Sequence, residues 1–156
     1  MLDNSNIFYK KKILIYGLGK SGLSALKYLK KYNQITTYDD KTKNNIKKII
    51  KVKFDCIIIS PGIDIYKCSL SKFLKKNYKK IYTDLDIFYN HHKKNSKITI
   101  TGTNGKSTTA KILYEVLKDQ KKDVRLVGNI GNPVLLEKKV TNKTVFVIEA
   151  SSYQLE

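Results

Sequence analysis

The chain has 156 residues, 41% of them hydrophobic and 28% charged. That composition fits a folded globular protein of one average domain or two small ones and excludes a disordered chain. No uninterrupted apolar run approaches the roughly 18 residues that a membrane-spanning helix needs. The opening MLDNSNIFYKKK has no apolar signal-peptide core. Two cysteines, Cys56 and Cys68, are too few for a disulfide scaffold or a structural zinc site. A reduced, cytoplasmic chain with no membrane partner is expected. The formal net charge of +18 raises a nucleic-acid partner. However, Arg125 is the sole arginine among 31 basic residues, and the thirty lysines are scattered in short runs. Base readout and bidentate phosphate grips favour arginine, so the lysines read as solvated faces and no nucleic-acid partner is expected.

In chain order, Lys12 to Tyr16 is a short β-rich run ending in Gly17, and Lys20 to Lys31 carries Leu23, Leu26 and Leu29 at helical spacing. Gln34 to Tyr38 reads as a second strand ending at Asp39-Asp40. Ile46, Ile49 and Ile50 suggest a short helix. Asp55 to Ser60 is apolar on consecutive positions, as in a strand covered on both faces, and stops at Pro61-Gly62. Leu70, Phe73, Leu74 and Tyr78 are again helically spaced. Lys80 to Tyr82 reads as a strand, and Asp84 as the cap of a helix bearing Leu85, Phe88 and Tyr89. His91 to Ser96 is a polar break and the expected domain boundary, giving domains at 1–93 and 94–156. The pattern then restarts. Lys97 to Thr101 is a strand, Gly102 to Ser107 a glycine-bearing loop, and Ile112, Leu113, Val116 and Leu117 a helical stripe. Val124 to Val127 and Thr144 to Glu149 are further strands. The fold class is therefore α/β with largely parallel sheets.

Two loops carry phosphate-binding chemistry. Gly17-Leu18-Gly19-Lys20-Ser21-Gly22 is a G-x-G-x-x-G between a strand and a helix, and Asp39 follows at the end of the next strand. Such glycines let the backbone approach a diphosphate, the helix N-terminus supplies oriented N–H donors, and the carboxylate accepts from a ribose or base. A tight turn with no ligand is the alternative. The second loop, Gly102-Thr103-Asn104-Gly105-Lys106-Ser107-Thr108, ends like a P-loop. Ile100 stands where the longer motif has glycine, so the loop is a shortened variant. Backbone N–H groups would cradle phosphates there, with Lys106 on the β/γ oxygens and Ser107 on Mg²⁺. Glu149, one of four glutamates, ends an apolar strand and can complete that Mg²⁺ site. His91 and His92 are adjacent and make a poor metal pair, better read as solvated linker. Cys56 reads as buried packing. Cys68 lies at a helix start with no base in view.

The combination resembles the Mur ligases of peptidoglycan synthesis over Lys12 to Glu156. The resemblance rests on G-T-N-G-K-S-T at Gly102 to Thr108, G-N-I-G-N-P at Gly128 to Pro133 and E-A-S-S-Y-Q-L-E at Glu149 to Glu156. S-P-G-I at Ser60 to Ile63 and D-L-D-I-F at Asp84 to Phe88 support it. The D-glutamate-adding branch is the most similar. This implies a Rossmann-like N-terminal domain that binds UDP rather than NAD, followed by the beginning of a P-loop ATPase domain. It also implies that ATP phosphorylates the carboxylate of UDP-N-acetylmuramoyl-L-alanine, and that the amine of D-glutamate attacks the acyl phosphate to give an amide, ADP and phosphate. By resemblance, Gly102, Thr103, Asn104, Gly105, Lys106, Ser107 and Thr108 hold ATP, and Ser107 and Glu149 bind Mg²⁺. Lys106 and Glu149 are then the catalytic pair. Lys20, Ser21, Asp39, Lys41 and Gly62 face the uridine diphosphate, and Asn129, Ser151 and Gln154 face the muramoyl-alanine part. A cytoplasmic monomer is implied.

The sequence departs from the family at two of these points. Lys41 stands where arginine is common, which loses any bidentate contact, and Ala150 replaces a larger apolar residue. The family also uses a histidine, a carbamylated lysine and a D-glutamate site that these 156 residues do not supply, so the chain alone is expected to be an inactive fragment. Another Mur ligase adding a different amino acid, or a non-catalytic nucleotide-binding module, are the alternatives.

Overall fold

A computed structural model of the protein describes residues 6–42 and 46–151. The chain divides into two compact units, residues 1–91 and 92–156. Among the described residues no helix is long and apolar enough to cross a membrane.

The first unit is built on four parallel strands: β1 (Lys12–Tyr16), β2 (Gln34–Tyr38), β3 (Cys56–Ile59) and β4 (Ile81–Tyr82), in the order β2-β1-β3-β4. β1 is central and pairs in parallel with β2 and β3, so its Ile13, Leu14, Ile15 and Tyr16 are all buried. The helices are α1 (Lys20–Leu29), α2 (Ile46–Ile50), α3 (Ser71–Lys76) and α4 (Asp84–His91). Leu14, Tyr16, Tyr38, Ile57, Leu70 and Leu74 form a core with Ile49 and Phe54. α1 packs on β1, β3 and α4. Its end is held by Asn33, whose amide donates to the Leu29 carbonyl at 2.8 Å while its side-chain oxygen accepts from the Lys11 N–H at 2.8 Å.

The start of α4 corrects the sequence reading, because Asp84 is not the cap. Thr83 and Asp86 form a reciprocal box. The Thr83 N–H donates to Asp86 Oδ2 at 2.6 Å, and the Asp86 N–H reaches Thr83 Oγ1 at 3.4 Å. That pairing satisfies the exposed end of the helix and leaves Asp84 to turn inward, where it is buried. Cys68 is also displaced from its expected place. It precedes α3 by a turn, half-buried, with its N–H on the Asp64 carbonyl.

The second unit has three parallel strands, β5 (Ser96–Ile100), β6 (Val124–Gly128) and β7 (Val145–Glu149), in the order β5-β7-β6. α5 (Lys106–Asp119) connects β5 to β6. Ala110, Val124 and Val147 are its buried seed, flanked by Ile100, Leu113, Leu117 and Leu126. Only half of the stripe read on α5 is covered: Leu113 and Leu117 pack inward, whereas Ile112 and Val116 are 60% and 47% exposed. Phe146 and Ile148 are fully buried on the other face of β7.

Arg125 serves this scaffold. It donates to Asp123 Oδ1 at 2.5 Å and approaches Glu137 at 3.4 Å. Asp123 in turn accepts from the Thr144 hydroxyl at 2.5 Å, closing the turn into β7. The histidines are not plain linker either. His91 meets the Tyr28 ring edge-on at 5.5 Å, and the His92 ring lies 5.1 Å from Phe146.

Candidate nucleotide sites

In the first unit the chain reverses at the carboxyl ends of β1, β2 and β3, the end where open α/β sheets bind ligands. Gly17 has φ +89°, a conformation that a side chain disfavours. Gly22 in the first turn of α1 packs so closely that a Cβ there would lie 1.8 Å from the Gly17 carbonyl oxygen. The turn is laced to both neighbouring strands. The Gly17 N–H donates to the Tyr38 carbonyl at 2.8 Å, and the Ser60 hydroxyl donates to the Gly17 carbonyl at 2.8 Å.

Asp39 is part of this lacing. Its Oδ2 accepts from the Leu18 N–H at 2.6 Å and its Oδ1 from the Lys41 N–H at 2.9 Å. The Leu18 N–H, then the Lys41 N–H, hold its carboxyl below the usual carboxylate range. Asp39 therefore fixes the turn, and each oxygen keeps spare acceptor capacity for a ligand. Lys20, Lys41 and Gly62 are exposed around it, and Ser21 is half-buried. So Lys20, Ser21, Asp39, Lys41 and Gly62 gather at one end of one sheet.

Sequence reasoning missed three features of this end. The first is Ser60, noted only as part of a motif but acting as the clamp on Gly17. The second is a polar network beside Asp39. The Tyr16 hydroxyl donates to Asp40 Oδ2 at 2.7 Å, Ser69 bonds Asp40 Oδ1, and Tyr38 and Ser69 share a bond at 2.8 Å. Burial, and then the Asp40 contact, push the Tyr16 phenol well up. The third is Asp84. Burial pushes its carboxyl up, and Ser21 and the N–H groups of Leu85 and of Asp84 itself pull it back down. Asp84 Oδ1 has no hydrogen-bond partner. The only hint in the sequence was that Thr83 and Asp86 already have capping spacing.

In the second unit the loop after β5 is open. Gly105 caps α5 with φ +75°, and a Cβ there would meet nothing within 4 Å. Lys106 Nζ donates to the Thr103 carbonyl at 3.2 Å, folded back along its own loop. The register pairs Ile100 with Glu149 and Gly128 with Glu149, which sets Glu149 between the glycine loop after β5 and the loop after β6. There the Ser107 hydroxyl donates to Glu149 Oε2 at 3.0 Å, and Glu149 is only 4% exposed. A buried carboxylate and a hydroxyl converging at a helix N-terminus are hard oxygen donors of the kind Mg²⁺ takes, and the open glycine loop leaves room for phosphates. The residues thus fit the ion and the nucleotide.

The Asn129 N–H donates to the Glu149 carbonyl at 3.0 Å, and Ser151 lies half-buried two residues after Glu149. Gln154 is outside the described residues. Ser107 and Glu149 are thus brought together in this unit, Asn129 joins Glu149 through the backbone, and the Lys106 ammonium stays on its own loop.

Two α/β units with parallel sheets, each with a glycine turn leading into a helix at the carboxyl end of its sheet, define a protein of the α/β class. The family described as Mur ligase middle domain matches residues 100–156. The chain is 40% identical to the UDP-N-acetylmuramoylalanine–D-glutamate ligase of Buchnera aphidicola subsp. Schizaphis graminum. That match covers 96% of this chain and 37% of the relative. It is 35% identical to the enzyme of that name from Rickettsia bellii (96% and 36%) and 34% identical to that from Caldicellulosiruptor bescii (94% and 36%). The chain belongs to the Mur ligase family, and it spans little more than a third of the length of these relatives.

Proposed function

We propose that the chain carries two of the substrate sites of a D-glutamate-adding Mur ligase. The first unit holds the uridine diphosphate of UDP-N-acetylmuramoyl-L-alanine, and the second holds ATP with Mg²⁺. The observation that carries the second half is the Ser107–Glu149 bond of 3.0 Å beside the open loop at Gly105. Mg²⁺, when bound, would neutralise phosphate charge. Ser107 and Glu149 would hold it, Lys106 would swing from Thr103 onto phosphate oxygens, and the loop N–H groups would orient the nucleotide. In the whole reaction a substrate carboxylate oxygen takes the γ-phosphoryl group and ADP leaves. The D-glutamate amine then attacks the acyl carbon, expelling phosphate and losing a proton. Positioning and charge neutralisation supply most of the rate.

The uridine reading rests on the turn at Gly17, on Asp39 and Lys41 beside it, and on the names of the relatives. Since nearly two thirds of each relative's length lies outside the match, we assign the complete ligation to more protein than these 156 residues. The chain alone is expected to release no D-glutamate-dependent phosphate. Thermal shift tests the binding sites: UDP-N-acetylmuramoyl-L-alanine and MgATP should each raise the unfolding temperature, and NAD should not. A shift with NAD and none with the muramoyl nucleotide would replace this reading with a dinucleotide-binding module.

A further inference from the structure

Folding gathers lysines that are scattered along the sequence. Leu14 and Tyr16 of β1 share one face of the first sheet with Ile57 of β3, since alternate strand residues share a face and Leu14 pairs with Ile57. α2 and α3 cover that face, because Ile49 of α2 and Leu74 of α3 join the same core. Their outward sides therefore form one layer of surface. Residues 46–53 hold four lysines and residues 71–80 hold five, and neither stretch holds a carboxylate. Lys47, Lys48 and Lys51, at and just after α2, and Lys72, Lys75 and Lys76 of α3 are all exposed. The nearest carboxylates in the sequence are engaged. Asp55 accepts from the Lys12 N–H at 2.8 Å, and Asp64 accepts from the Tyr66 N–H at 2.8 Å and faces Lys67 at 3.9 Å.

The layer also presents apolar side chains to solvent. Ile46 and Ile50, one helical turn apart, are 36% and 48% exposed. Tyr66 and Tyr78 are 68% and 65% exposed, the most of any large hydrophobic residue among those described. Lys75 joins them to the basic set: its ammonium lies 4.9 Å from the centre of the Tyr66 ring, and it stands three residues before Tyr78. A surface built only for solubility intersperses both signs of charge and exposes few such side chains.

Two kinds of polyanion fit a lysine surface, and the details choose between them. Nucleic acid is read by a helix or ribbon laid in a groove, or by bare ring faces on which bases stack. α2 and α3 have only five and six residues, Lys75 occupies the Tyr66 ring, and the layer has no arginine. A bilayer surface takes a different set: ammonium groups at the level of the lipid phosphates, with tyrosines and aliphatic side chains at the headgroup boundary.

We propose that the α2–α3 layer of the first unit docks on the anionic leaflet of a lipid bilayer. Its lysines meet the lipid phosphates, and Ile46, Ile50, Tyr66 and Tyr78 enter the headgroup boundary. This surface is independent of the two nucleotide readings.

The test is co-sedimentation of the 156-residue chain with vesicles of phosphatidylcholine alone and of phosphatidylcholine mixed with phosphatidylglycerol. The chain should pellet with the mixed vesicles, stay in solution with the neutral ones, and be released as salt screens the charges. Each lysine near an anionic leaflet is worth about fivefold in partition, so replacing Lys72, Lys75 and Lys76 together by glutamine should weaken binding about 100-fold. Tyr66→Ser with Tyr78→Ser should weaken it at unchanged charge. The same loss of charge in the second unit, Lys111, Lys121 and Lys122 to glutamine, should leave most of the binding in place. Circular-dichroism melts establish that each variant is folded. Absence of binding to the mixed vesicles overturns the proposal. Equal losses in the two lysine triples overturn it in favour of net charge alone. Binding of a single-stranded oligonucleotide at physiological salt, lost with the α3 lysines while vesicles are ignored, overturns it in favour of nucleic acid.

Discussion

The two units build the same motif, a strand, a glycine turn and a helix, in opposite ways. In the first, the turn is consumed by its own structure: Gly22 presses on Gly17, Ser60 clamps the Gly17 carbonyl, and Asp39 holds two backbone N–H groups. In the second, the loop is nearly empty. Gly105 faces open space, and Lys106 reaches only its own loop at Thr103. A rigid turn offers a ligand pre-set backbone donors and pays little to order them. An open loop whose lysine is held only by its own backbone leaves that lysine available to a phosphate chain of changing charge. The motif in the sequence is shared, and the difference lies in what packs behind it.

The largest effects that would break this comparison come from the glycines. Gly22→Ala forces a Cβ to 1.8 Å from the Gly17 carbonyl oxygen, so chemical denaturation should show a loss of about 3 kcal/mol or more, the upper end of overpacking costs. Gly105→Ala meets no atom and strains only a left-handed φ, for a cost of about 1 kcal/mol. Equal losses would mean that the two turns are not built differently.

Lys106→Ala comes next. It should weaken MgATP binding about 10- to 100-fold in titration, the value of one charge-assisted bond, and leave the muramoyl nucleotide untouched. Ser60→Ala removes the clamp on the Gly17 carbonyl and should cost about 1 kcal/mol of stability, with the opposite selectivity between the ligands.

The smallest effect is on pH dependence. Asp123 is held below the usual carboxylate range, by Thr144 first and Arg125 after it. A carboxyl more acidic in the folded state binds fewer protons than the unfolded chain, so its contribution is present above the unfolded value of about 3.9 and is lost as pH falls through the folded one. Asp84 is shifted the other way. Its contribution declines as pH rises from the ordinary carboxylate value through the folded one. Thermal melts across pH should therefore show Asp123→Asn less stable than wild type at neutral pH with a shallower acid loss. Asp84→Asn should be more stable at neutral pH.

Much of this was legible in the sequence. The strand Lys12–Tyr16 and the helix start at Lys20 follow from β-branched runs broken by glycine, and the structure places both there. The parallel α/β class follows from alternating strand and helix patterns. The convergence of Ser107 and Glu149 was readable because a strand-end acid and a P-loop hydroxyl have few other uses. What was not legible depends on long-range packing. The Ser60 clamp spans 43 residues and the Tyr16–Asp40 bond 24, and neither has a local signature. Asp84 was misread because a helix-start aspartate is usually a cap. Thr83, one residue earlier, competes for that role and wins with Asp86. The exposed half of the α5 stripe, Ile112 and Val116, shows that periodicity marks an apolar face without saying what covers it.

On the function proposed above, one short chain carries two unlike nucleotide sites. The most direct test is a calorimetric titration of the 156-residue chain with UDP-N-acetylmuramoyl-L-alanine and with MgATP, each in the presence and absence of the other. One site for each ligand is expected, with neither displacing the other, and loss of the MgATP site alone in Glu149→Gln. Mutual displacement of the two ligands, or binding of NAD in place of the muramoyl nucleotide, would contradict it.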